Sequence, residues 1–395
     1  MTGAIKKRIR TALKYAAYRL FSLRRILKRF PRIDSSYGIS RIEDKHRETF
    51  FGYYDKFPEN GTGVLLFHSA LKTSVHPAKQ HSVDIVASGP GVEKRFSTRA
   101  FNWQQGSRLQ WINDSEFIFN DYDPAGKRYI CRRCSIDNDS ERVYPWPVQD
   151  AFQDEYMISI DYHVLSRYAS DYGYFCEVDD ISEQSAIIRK VDFNGGKDQI
   201  LVKGEEVLAL LGLDKNKVFH YYFNHGMISP DGSKFIFMFR YSDSRKYRND
   251  SLLLHELDKG VTSVLVKGSM VSHCCWLDNG EVMSYMEYGG KRSYFKIKVT
   301  SASVHEMFGK GSFRDGHPSF SNGRIITDTY PDTCMMQTLM ELDRNGTKKK
   351  IASLYHPPGY FGICRCDLHP KVKGNRIYLD TVAGGKRNLC KVDYD

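Results

Sequence analysis

The N-terminal segment of the sequence lacks both a long hydrophobic run and any acidic residue. Within residues 1–33, charges interrupt every apolar run well before the roughly 20 residues that a membrane-spanning helix needs. The segment also lacks the continuous apolar centre of a secretory signal peptide. These absences exclude a spanning helix and a signal peptide here, and we expect a cytoplasmic protein.

The net charge of +11 comes from the same segment. Residues 1–33 contain eleven Lys and Arg and no Asp or Glu, and the 47 basic residues that remain of the 58 are balanced by 47 acidic ones. Because the rest of the chain has no basic excess, we do not expect nucleic-acid binding.

Apolar residues recur at helical spacing within this basic segment, at Ile5, Ile9, Leu13, Ala16, Ala17, Leu20, Leu23, Leu27 and Phe30. This pattern predicts an amphipathic helical arm over residues 1–40, ahead of a folded domain over residues 41–395. Two interpretations of residues 1–33 are open. The helix either lies on the anionic inner face of the membrane as a peripheral anchor, or is a docked helix or basic leader.

Cysteines are few and have no disulfide-like pattern. The nine cysteines are an odd number scattered over a long chain, which favours reduced thiols. Cys131 and Cys134 form a CxxC without a second pair, so we interpret them as two inert thiols on adjacent strands and not as a zinc or redox site.

Helical signal is nearly absent after residue 40, apart from "GEEVLALLG", and a repeat takes its place. Four segments share a His, a turn of the Asp/Asn-Gly type and a β-rich run: "HGMISPDGSKFIFMF", "HCCWLDNGEVMSYM", "HPSFSNGRIITDTY" and "HPKVKGNRIYLDTV". Two further copies match the same frame from Tyr54 and Arg108, and a weaker copy begins near Glu155. Seven four-stranded units at this period predict an all-β fold, a seven-bladed β-propeller.

The ends of the repeat array predict how the ring closes. The last unit runs out of chain after "RNLCKVDYD", so we expect an outer strand from about residues 45 to 52 to complete it. The third unit spans about 70 residues and must carry an insertion that contains "SRYASDYGYF".

Four histidines occupy one repeat position in consecutive units: His225, His273, His317 and His369. The start of each inner strand faces the channel axis, so these side chains are expected to form an arc near one mouth, with Asp315, Cys366 and Asp367 beside it. Imidazole commonly binds transition metals, so the arc predicts a divalent metal site, for Zn²⁺ or Mn²⁺, or a polar sugar site. The alternative is hydrogen bonding within each blade.

Several motifs resemble those of a known family. "FFGYYDKFPENG", "NWQQGSRLQW", "FNHGMISPDG", "DGHPSF" with "TDTYPD", and "CDLHP" are similar to the blade motifs of seven-bladed propellers of the oligogalacturonate lyase and ulvan lyase type. They also resemble propeller proteins of bacterial capsule and O-antigen biosynthesis, which are often labelled glycosyltransferase-like. The resemblance covers roughly residues 50–395.

The lyase resemblance implies β-elimination at a uronic acid, with a neutraliser of the carboxylate, a base for the C5 proton and an acid for the leaving oxygen. By similarity, the four histidines are candidates for a metal cluster. The resemblance makes Tyr172 or Tyr174 the candidate proton-transfer tyrosine and Arg189 the candidate neutralising cation, with Arg108 and Arg167 as substitutes. The second unit offers Gln104, Gln105 and Gln110 where a histidine would be expected.

Three functional hypotheses follow. The first is a carbohydrate-active propeller of bacterial surface polysaccharide biosynthesis, glycosyltransferase-like or glycan-binding, which takes an acidic polysaccharide or a lipid-linked glycan at the inner membrane. The second is a metal-assisted lyase that cleaves uronate-containing glycans. The third is a scaffold that recruits protein partners, and a propeller fold alone does not choose among the three.

Overall fold

The computed structural model of the protein describes residues 3–178, 186–243, 248–308 and 313–394. It begins with helix α1 (Gly3–Leu27), followed by two short strands, β1 (Ile33–Ser35) and β2 (Ile39–Arg41). The side chains of residues 3–8 and of Ser269 lie outside the described part. Residues 3–8 include the predicted stripe member Ile5 and the cations Lys6, Lys7 and Arg8.

The remaining strands form seven antiparallel sheets, which confirms the predicted seven-bladed β-propeller. Blade 1 contains β3 (Glu48–Phe50), β4 (Leu65–Ala70), β5 (Val83–Gly89) and β6 (Val92–Thr98). Blade 2 contains β7 (Gln110–Trp111), β8 (Glu116–Asp123), β9 (Arg128–Ser135) and β10 (Glu141–Tyr144). Blade 3 contains β11 (Asp150–Phe152), β12 (Tyr156–Ser159), β13 (Ile187–Asp192) and β14 (Gln199–Lys203).

Blades 4 to 7 continue in the same order from the channel outward. They contain β15 (Val218–Ile228), β16 (Lys234–Asp243), β17 (Arg248–Glu256) and β18 (Val261–Ser269); β19 (Val271–Trp276), β20 (Glu281–Tyr288), β21 (Lys291–Lys298) and β22 (Ser303–Glu306); β23 (Ser319–Ser321), β24 (Arg324–Thr327), β25 (Met336–Leu342) and β26 (Lys348–Tyr355); and β27 (Lys371–Lys373), β28 (Arg376–Thr381) and β29 (Asn388–Asp393).

The ring closes through the N-terminal strands. β2 pairs with β29 as the outer strand of blade 7, and β1 adds a fifth strand to blade 6 beside β26. The prediction that residues 45–52 supply this outer strand was wrong, because Glu48–Phe50 is the inner strand of blade 1. All three residues of β3 are buried, as an inner strand requires, whereas the outer strand β2 is largely exposed.

Adjacent blades share cores because the central strands of each blade bury both of their faces. In β16, Phe235, Phe237 and Phe239 pack into one interblade cluster, while Ile236 and Met238 pack into the next one. This two-sided burial explains why the strand sequences read as nearly continuous apolar runs.

The CxxC pair illustrates the same geometry. Cys131 and Cys134 both lie on β9, not on adjacent strands as predicted, and three residues of separation directs them into different interblade clusters. Both are free thiols, and burial raises the pKa of Cys134 to about 12. The pair therefore has neither the proximity nor the thiolate character of a metal or redox site.

Two helices lie among the described strands, one inside blade 3 and one between blades 3 and 4; the sequence indicated the second at "GEEVLALLG" and an insertion, but no helix, at the first. The insertion of the third unit contains α2 (Tyr162–Tyr168), whose first turn is capped by the Asp161 carboxylate, which accepts from the backbone N–H groups of His163 and Val164. The "GEEVLALLG" segment forms α3 (Gly204–Leu210). The α2 insertion reaches the channel mouth and contributes Tyr172 there.

Helix α1 lies against the propeller near blades 6 and 7. Tyr18 and Phe21 pack on the cluster around Tyr355, whose hydroxyl donates to Ser22 Oγ at 2.9 Å, and the Tyr18 ring contacts Phe361 edge-on at 5.3 Å between centroids. In the described part of the chain, no helix combines the length and the apolar character needed to cross a membrane.

Two buried histidines predict loss of stability in acid. The Nε2 atoms of His68 and His356 accept the backbone N–H groups of Ser107 at 3.0 Å and Cys366 at 3.1 Å, so both rings must be neutral. Burial lowers the pKa of His68 to about 3 and that of His356 to about 4. An unfolded histidine takes up its proton near pH 6.5, so below that pH the unfolded chain binds more protons than the folded chain.

We therefore expect the free energy of unfolding to fall as pH drops from about 6.5 to about 4, by on the order of 3 kcal/mol for each histidine. Urea titrations at a series of pH values measure this slope. His68→Gln should flatten it, and a parent chain whose stability does not change over this range would contradict the assignment.

Candidate functional site

The structure places the four predicted histidines around one end of the channel: His273 lies in the first half of β19, His317 and His369 lie just before β23 and β27, and His225 lies in the second half of β15. His225 and His369 have positive φ angles, 50° and 46°, and so does Arg108 at 56° in blade 2. A positive φ is uncommon for residues other than glycine, so the chain adopts the same unusual turn into the channel in three blades.

His317, Asp367 and His369 form the most compact cluster of ligand atoms. Within the described residues, one ligand atom from each lies within 4.8 Å of the others, and all three residues are buried. The rings of His317 and His369 meet edge-on with centroids 4.3 Å apart. Two imidazoles and a carboxylate are a donor set that first-row divalent metals accept.

Asp328 organises this cluster from behind. Its Oδ1 accepts the backbone N–H of His317 at 2.7 Å and lies 2.9 Å from Nδ1 of the same residue, while its Oδ2 accepts the backbone N–H of His369 at 3.1 Å. A carboxylate on Nδ1 leaves Nε2 of His317 for a ligand, as in carboxylate–histidine–metal arrangements. Asp328 thus fixes two ligands from neighbouring blades.

The two cluster histidines have opposite electrostatic surroundings. Burial opposes the charged form of His317, but the Asp328 carboxylate raises its pKa above the usual value. Burial, together with neighbouring cationic groups, holds the pKa of His369 well below its usual value, and its Nε2 has no hydrogen-bond partner. A buried, neutral, unpartnered imidazole nitrogen is what a metal ligand requires, so the residues fit a divalent ion.

The other two histidines extend the arc with different partners. The His273 ring lies 4.1 Å from that of His317, and its Nδ1 is 3.0 Å from Asp315 Oδ1. His225 stacks on Tyr53 with ring centroids 5.1 Å apart and leaves its Nδ1 unpartnered. His225 therefore belongs to an aromatic contact and lies outside the compact cluster.

Tyr53 and Tyr54 from blade 1 fill the channel among these rings. The Tyr53 ring centroid lies 5.2 Å from that of His369, and Tyr54 lies 5.5 Å from His317. The Tyr54 hydroxyl donates to the carbonyl of Cys274 at 2.7 Å. Blade 1 thus contributes two aromatic rings at the position where blades 4 to 7 contribute histidines.

A cavity of about 620 Å³ opens above the histidine arc. Its walls come from separate parts of the chain: Lys14 and Tyr18 of α1, Tyr172 of the insertion, and Arg240 and Arg365, together with His273, Asp315, Tyr330 and Asp367. The mixture of aromatic, cationic and acidic side chains suits a polar, charged ligand of oligosaccharide size.

The cavity arginines are held by carboxylates. Arg365 donates from Nε to Asp367 Oδ2 at 2.8 Å and also pairs with Asp171 of the insertion, while Arg240 Nε lies 3.5 Å from Asp250 Oδ1. The contact between Arg365 and Asp367 connects the cavity wall to the metal-ligand cluster, because Asp367 belongs to both.

The predicted catalytic residues are not all brought together. Tyr172 lines the cavity and its ring lies edge-on to His225 at 4.9 Å between centroids. Tyr174 is buried in the protein core, where it stacks on Tyr162 at 4.4 Å. Arg189 lies over the Trp146 ring in blade 3, away from the cavity lining.

The two substitute cations also lie outside the cavity lining. Arg108 is buried and makes a two-point contact with Asp55, at 3.0 Å and 2.7 Å, and donates from Nε to the Gln149 carbonyl. Arg167 lies in the last turn of α2. Arg240 and Arg365 occupy the cavity instead.

The comparison of folds agrees with this architecture. A structure described as oligogalacturonate lyase in complex with manganese aligns over 93% of this chain and 95% of its own, with a TM-score of 0.58 and 11% sequence identity. The chain folds like an oligogalacturonate lyase. The β-propeller domain of the Trilobed protease from Pyrococcus furiosus aligns over 88% of this chain and 97% of its own, with a TM-score of 0.54 and 9% identity.

At these identities the likeness establishes the seven-bladed fold and not the reaction. No protein-family model and no curated protein matches the sequence. The chemistry of this propeller therefore depends on its own residues.

Sequence reasoning missed the residues that act between blades. Asp328 lies in "TDTYPD" and Tyr53 and Tyr54 in "FFGYYDKFPENG", so the motifs were noticed without these roles. Aligning the repeats on the turn indicates Tyr54 at the histidine position, because Tyr54 precedes Gly61 by seven residues, as His225 precedes Gly232. The contact of Asp328 with His369 crosses from blade 6 to blade 7 and has no sequence signal.

Proposed function

We propose that the protein is a carbohydrate-active enzyme that binds a divalent metal through His317, Asp367 and His369 and cleaves acidic, uronate-containing oligosaccharides by β-elimination. The observation that carries this proposal is the compact, buried His–Asp–His cluster, which adjoins the cavity through Asp367. The manganese complex of the similarly folded oligogalacturonate lyase supports it.

When bound, the metal would supply a Lewis acid that neutralises a substrate carboxylate and acidifies the adjacent C–H bond. The chain's own groups position the sugar. Arg365 and Arg240 present guanidinium groups along the cavity wall, and Tyr172 and Tyr330 present aromatic rings on which a pyranose can stack.

Groups beside the His–Asp–His cluster would carry out the proton transfers of the elimination. His225 is neutral because burial holds its pKa well below the usual value, and its unpartnered Nδ1 can accept a proton. Tyr172 lies against His225, lines the cavity and carries a phenolic proton for the leaving oxygen. These roles keep Tyr172 as a candidate, with His225 as its partner.

Elimination makes an unsaturated uronate, so its ultraviolet absorbance tests the reaction. With oligogalacturonate and Mn²⁺, we expect the parent chain to generate this absorbance and Tyr172→Phe to be slower by about 100-fold or more, since a proton-transfer group contributes about 10²–10⁴-fold. Tyr174→Phe is the matched control because that ring is buried in the core, and it should retain most of the activity.

The same assay is carried out with Zn²⁺ and with Mn²⁺, and with galacturonate-, glucuronate- and ulvan-type oligosaccharides as substrates. Absence of the unsaturated product with every metal and glycan would overturn the elimination reaction. Equal losses in Tyr172→Phe and Tyr174→Phe would remove the proposed role of Tyr172.

A second candidate is a role in bacterial surface polysaccharide biosynthesis, either capsule or O-antigen, with a glycosyltransferase-like or glycan-binding function on a lipid-linked glycan. The observation that favours it is the basic helix α1, which forms part of the cavity wall and suits a peripheral position at the cytoplasmic face of the inner membrane. Binding of acidic lipid-linked glycan without turnover would favour this candidate. A scaffold for protein partners is the third candidate, and it predicts neither metal nor glycan binding.

A further inference from the structure

Helix α1 has two faces with different surroundings. Lys14, Tyr18, Phe21 and Arg25 follow one another at spacings of four, three and four residues, and this face meets the propeller: Lys14 and Tyr18 line the cavity, Phe21 packs near Tyr355, and Arg25 lies over the Tyr355 ring. We call these four residues the docked face.

A second face carries apolar side chains that the propeller does not cover. Six residues at spacings of four, three, four, three and four form one stripe, the outer stripe: Ile9, Leu13, Ala16, Leu20, Leu23 and Leu27. Leu13 is 67% exposed, Leu20 62% and Leu27 81%. At 100° per residue the outer stripe lies roughly opposite the docked face, so one face can be occupied without displacing the other.

Cations border the outer stripe on both sides. By the same helical geometry, Arg10 and Arg24 flank one edge and Arg19 flanks the other, and all three are exposed. No acidic residue occurs anywhere in residues 1–33. An apolar stripe with cations at both edges is the pattern of a helix that lies in the interface of an anionic bilayer.

A second copy of this chain is the main competing occupant. The alternating spacing of four and three would suit a coiled-coil seam, but Arg10, Arg19 and Arg24 would bring cations to the edges of the seam from both helices. With no acidic residue to pair with them, these positions would repel each other across the seam. The charge pattern therefore complements an anionic surface and opposes self-association.

We propose that the outer stripe of α1 binds the surface of an anionic bilayer while the docked face remains the wall of the cavity, so that the cavity mouth lies beside the membrane. Because a helix with its side chains is about 10–12 Å across, the mouth would sit roughly one helix diameter from the lipid headgroups. This inference gives the cavity a defined orientation relative to the membrane. It rests on the proposed function only for the assignment of the cavity as the glycan site.

Vesicle flotation with the full-length chain tests the binding surface. With vesicles in which about a third of the lipid is phosphatidylglycerol, we expect the parent chain to float and to bind far less to pure phosphatidylcholine. A Leu13→Asp/Leu20→Asp/Leu27→Asp variant should lower the ratio of bound to free protein by about tenfold or more. A control with Leu71→Asp/Leu210→Asp/Phe219→Asp changes three exposed apolar residues away from α1 and should bind like the parent.

Equal flotation of the two triple variants would overturn the proposal. A parent chain that does not float with anionic vesicles would also overturn it. If light scattering shows a parent dimer that the outer-stripe variant lacks, the stripe binds a second copy and the proposal fails. Near-ultraviolet circular dichroism of each variant shows whether the propeller is intact.

Fluorescence quenching by spin-labelled lipid tests the orientation. A fluorophore on Ser170→Cys, at the cavity mouth, should be quenched more strongly than one on Asn279→Cys, which lies in the turn at the far end of the inner strand of blade 5. Equal quenching would overturn the orientation. Neither experiment uses glycan turnover, so an inactive cavity would contradict the proposed function and leave the membrane surface standing, and the reverse also holds.

Discussion

His369→Ala is expected to weaken Mn²⁺ or Zn²⁺ binding by about 100-fold or more, because it removes one of three convergent ligands from a buried cluster. His225→Ala is expected to change the affinity by less than about threefold, since that ring stacks on Tyr53 outside the compact cluster. Titration calorimetry with Zn²⁺ and electron paramagnetic resonance with Mn²⁺ measure both.

The comparison between the two variants separates a three-residue site from a ring of four histidines. Equal losses in His225→Ala and His369→Ala would show that the whole arc binds the ion, as the repeat alignment alone indicates. If none of His225→Ala, His369→Ala and Asp367→Ala lowers the metal affinity, these residues have a structural role within the blades.

Arg108→Ala is expected to lower the free energy of unfolding by about 3–5 kcal/mol, the usual cost of leaving one partner of a buried ion pair alone. The side chains of Arg108 and Asp55 are 1% and 3% exposed. Burial raises the pKa of the Asp55 carboxyl, but the Arg108 cation outweighs that effect and keeps it below its usual value. Removing the guanidinium takes away both hydrogen bonds to the buried carboxylate and its main cationic partner, although Lys56 still lowers the pKa of Asp55.

A double variant, Arg108→Met/Asp55→Leu, should recover most of the lost stability because neither charge remains. The control Arg292→Ala breaks an ion pair with Glu287 in which both side chains are exposed, and it should leave the free energy of unfolding close to that of the parent. Urea denaturation measures all three. If Arg108→Ala unfolds like the parent but loses glycan turnover, Arg108 acts in the site.

The sequence contained most of the fold because the propeller repeats itself. The turns of "SPDG" and "DNG" type, the strand runs after them and the common histidine position recur at nearly constant spacing, so each copy supported the reading of the others. Ring closure has no repeat to support it. The distinction between β2 and β3 depends on burial of Glu48–Phe50 against the channel, which three residues of sequence do not reveal.

The site was predictable where it follows the repeat and not where it depends on side chains that cross between blades. The register predicted His225, His273, His317 and His369 together, although only His317 and His369 come close to Asp367. Tyr172 and Tyr174 are two residues apart in one motif, yet one lines the cavity and the other lies in the core. An irregular insertion gives no periodicity from which to assign its faces.

Closure of the ring by β2 also affects the order in which the chain can fold. β2 (Ile39–Arg41) pairs with β29 (Asn388–Asp393), so one of the first strands synthesised waits for one of the last before its hydrogen bonds form. Until then the chain exposes unpaired strand edges at both ends of the blade array, and a contact of this sequence separation is slow to form. Completion of the seventh blade is therefore the step at which folding of this propeller is most exposed to aggregation.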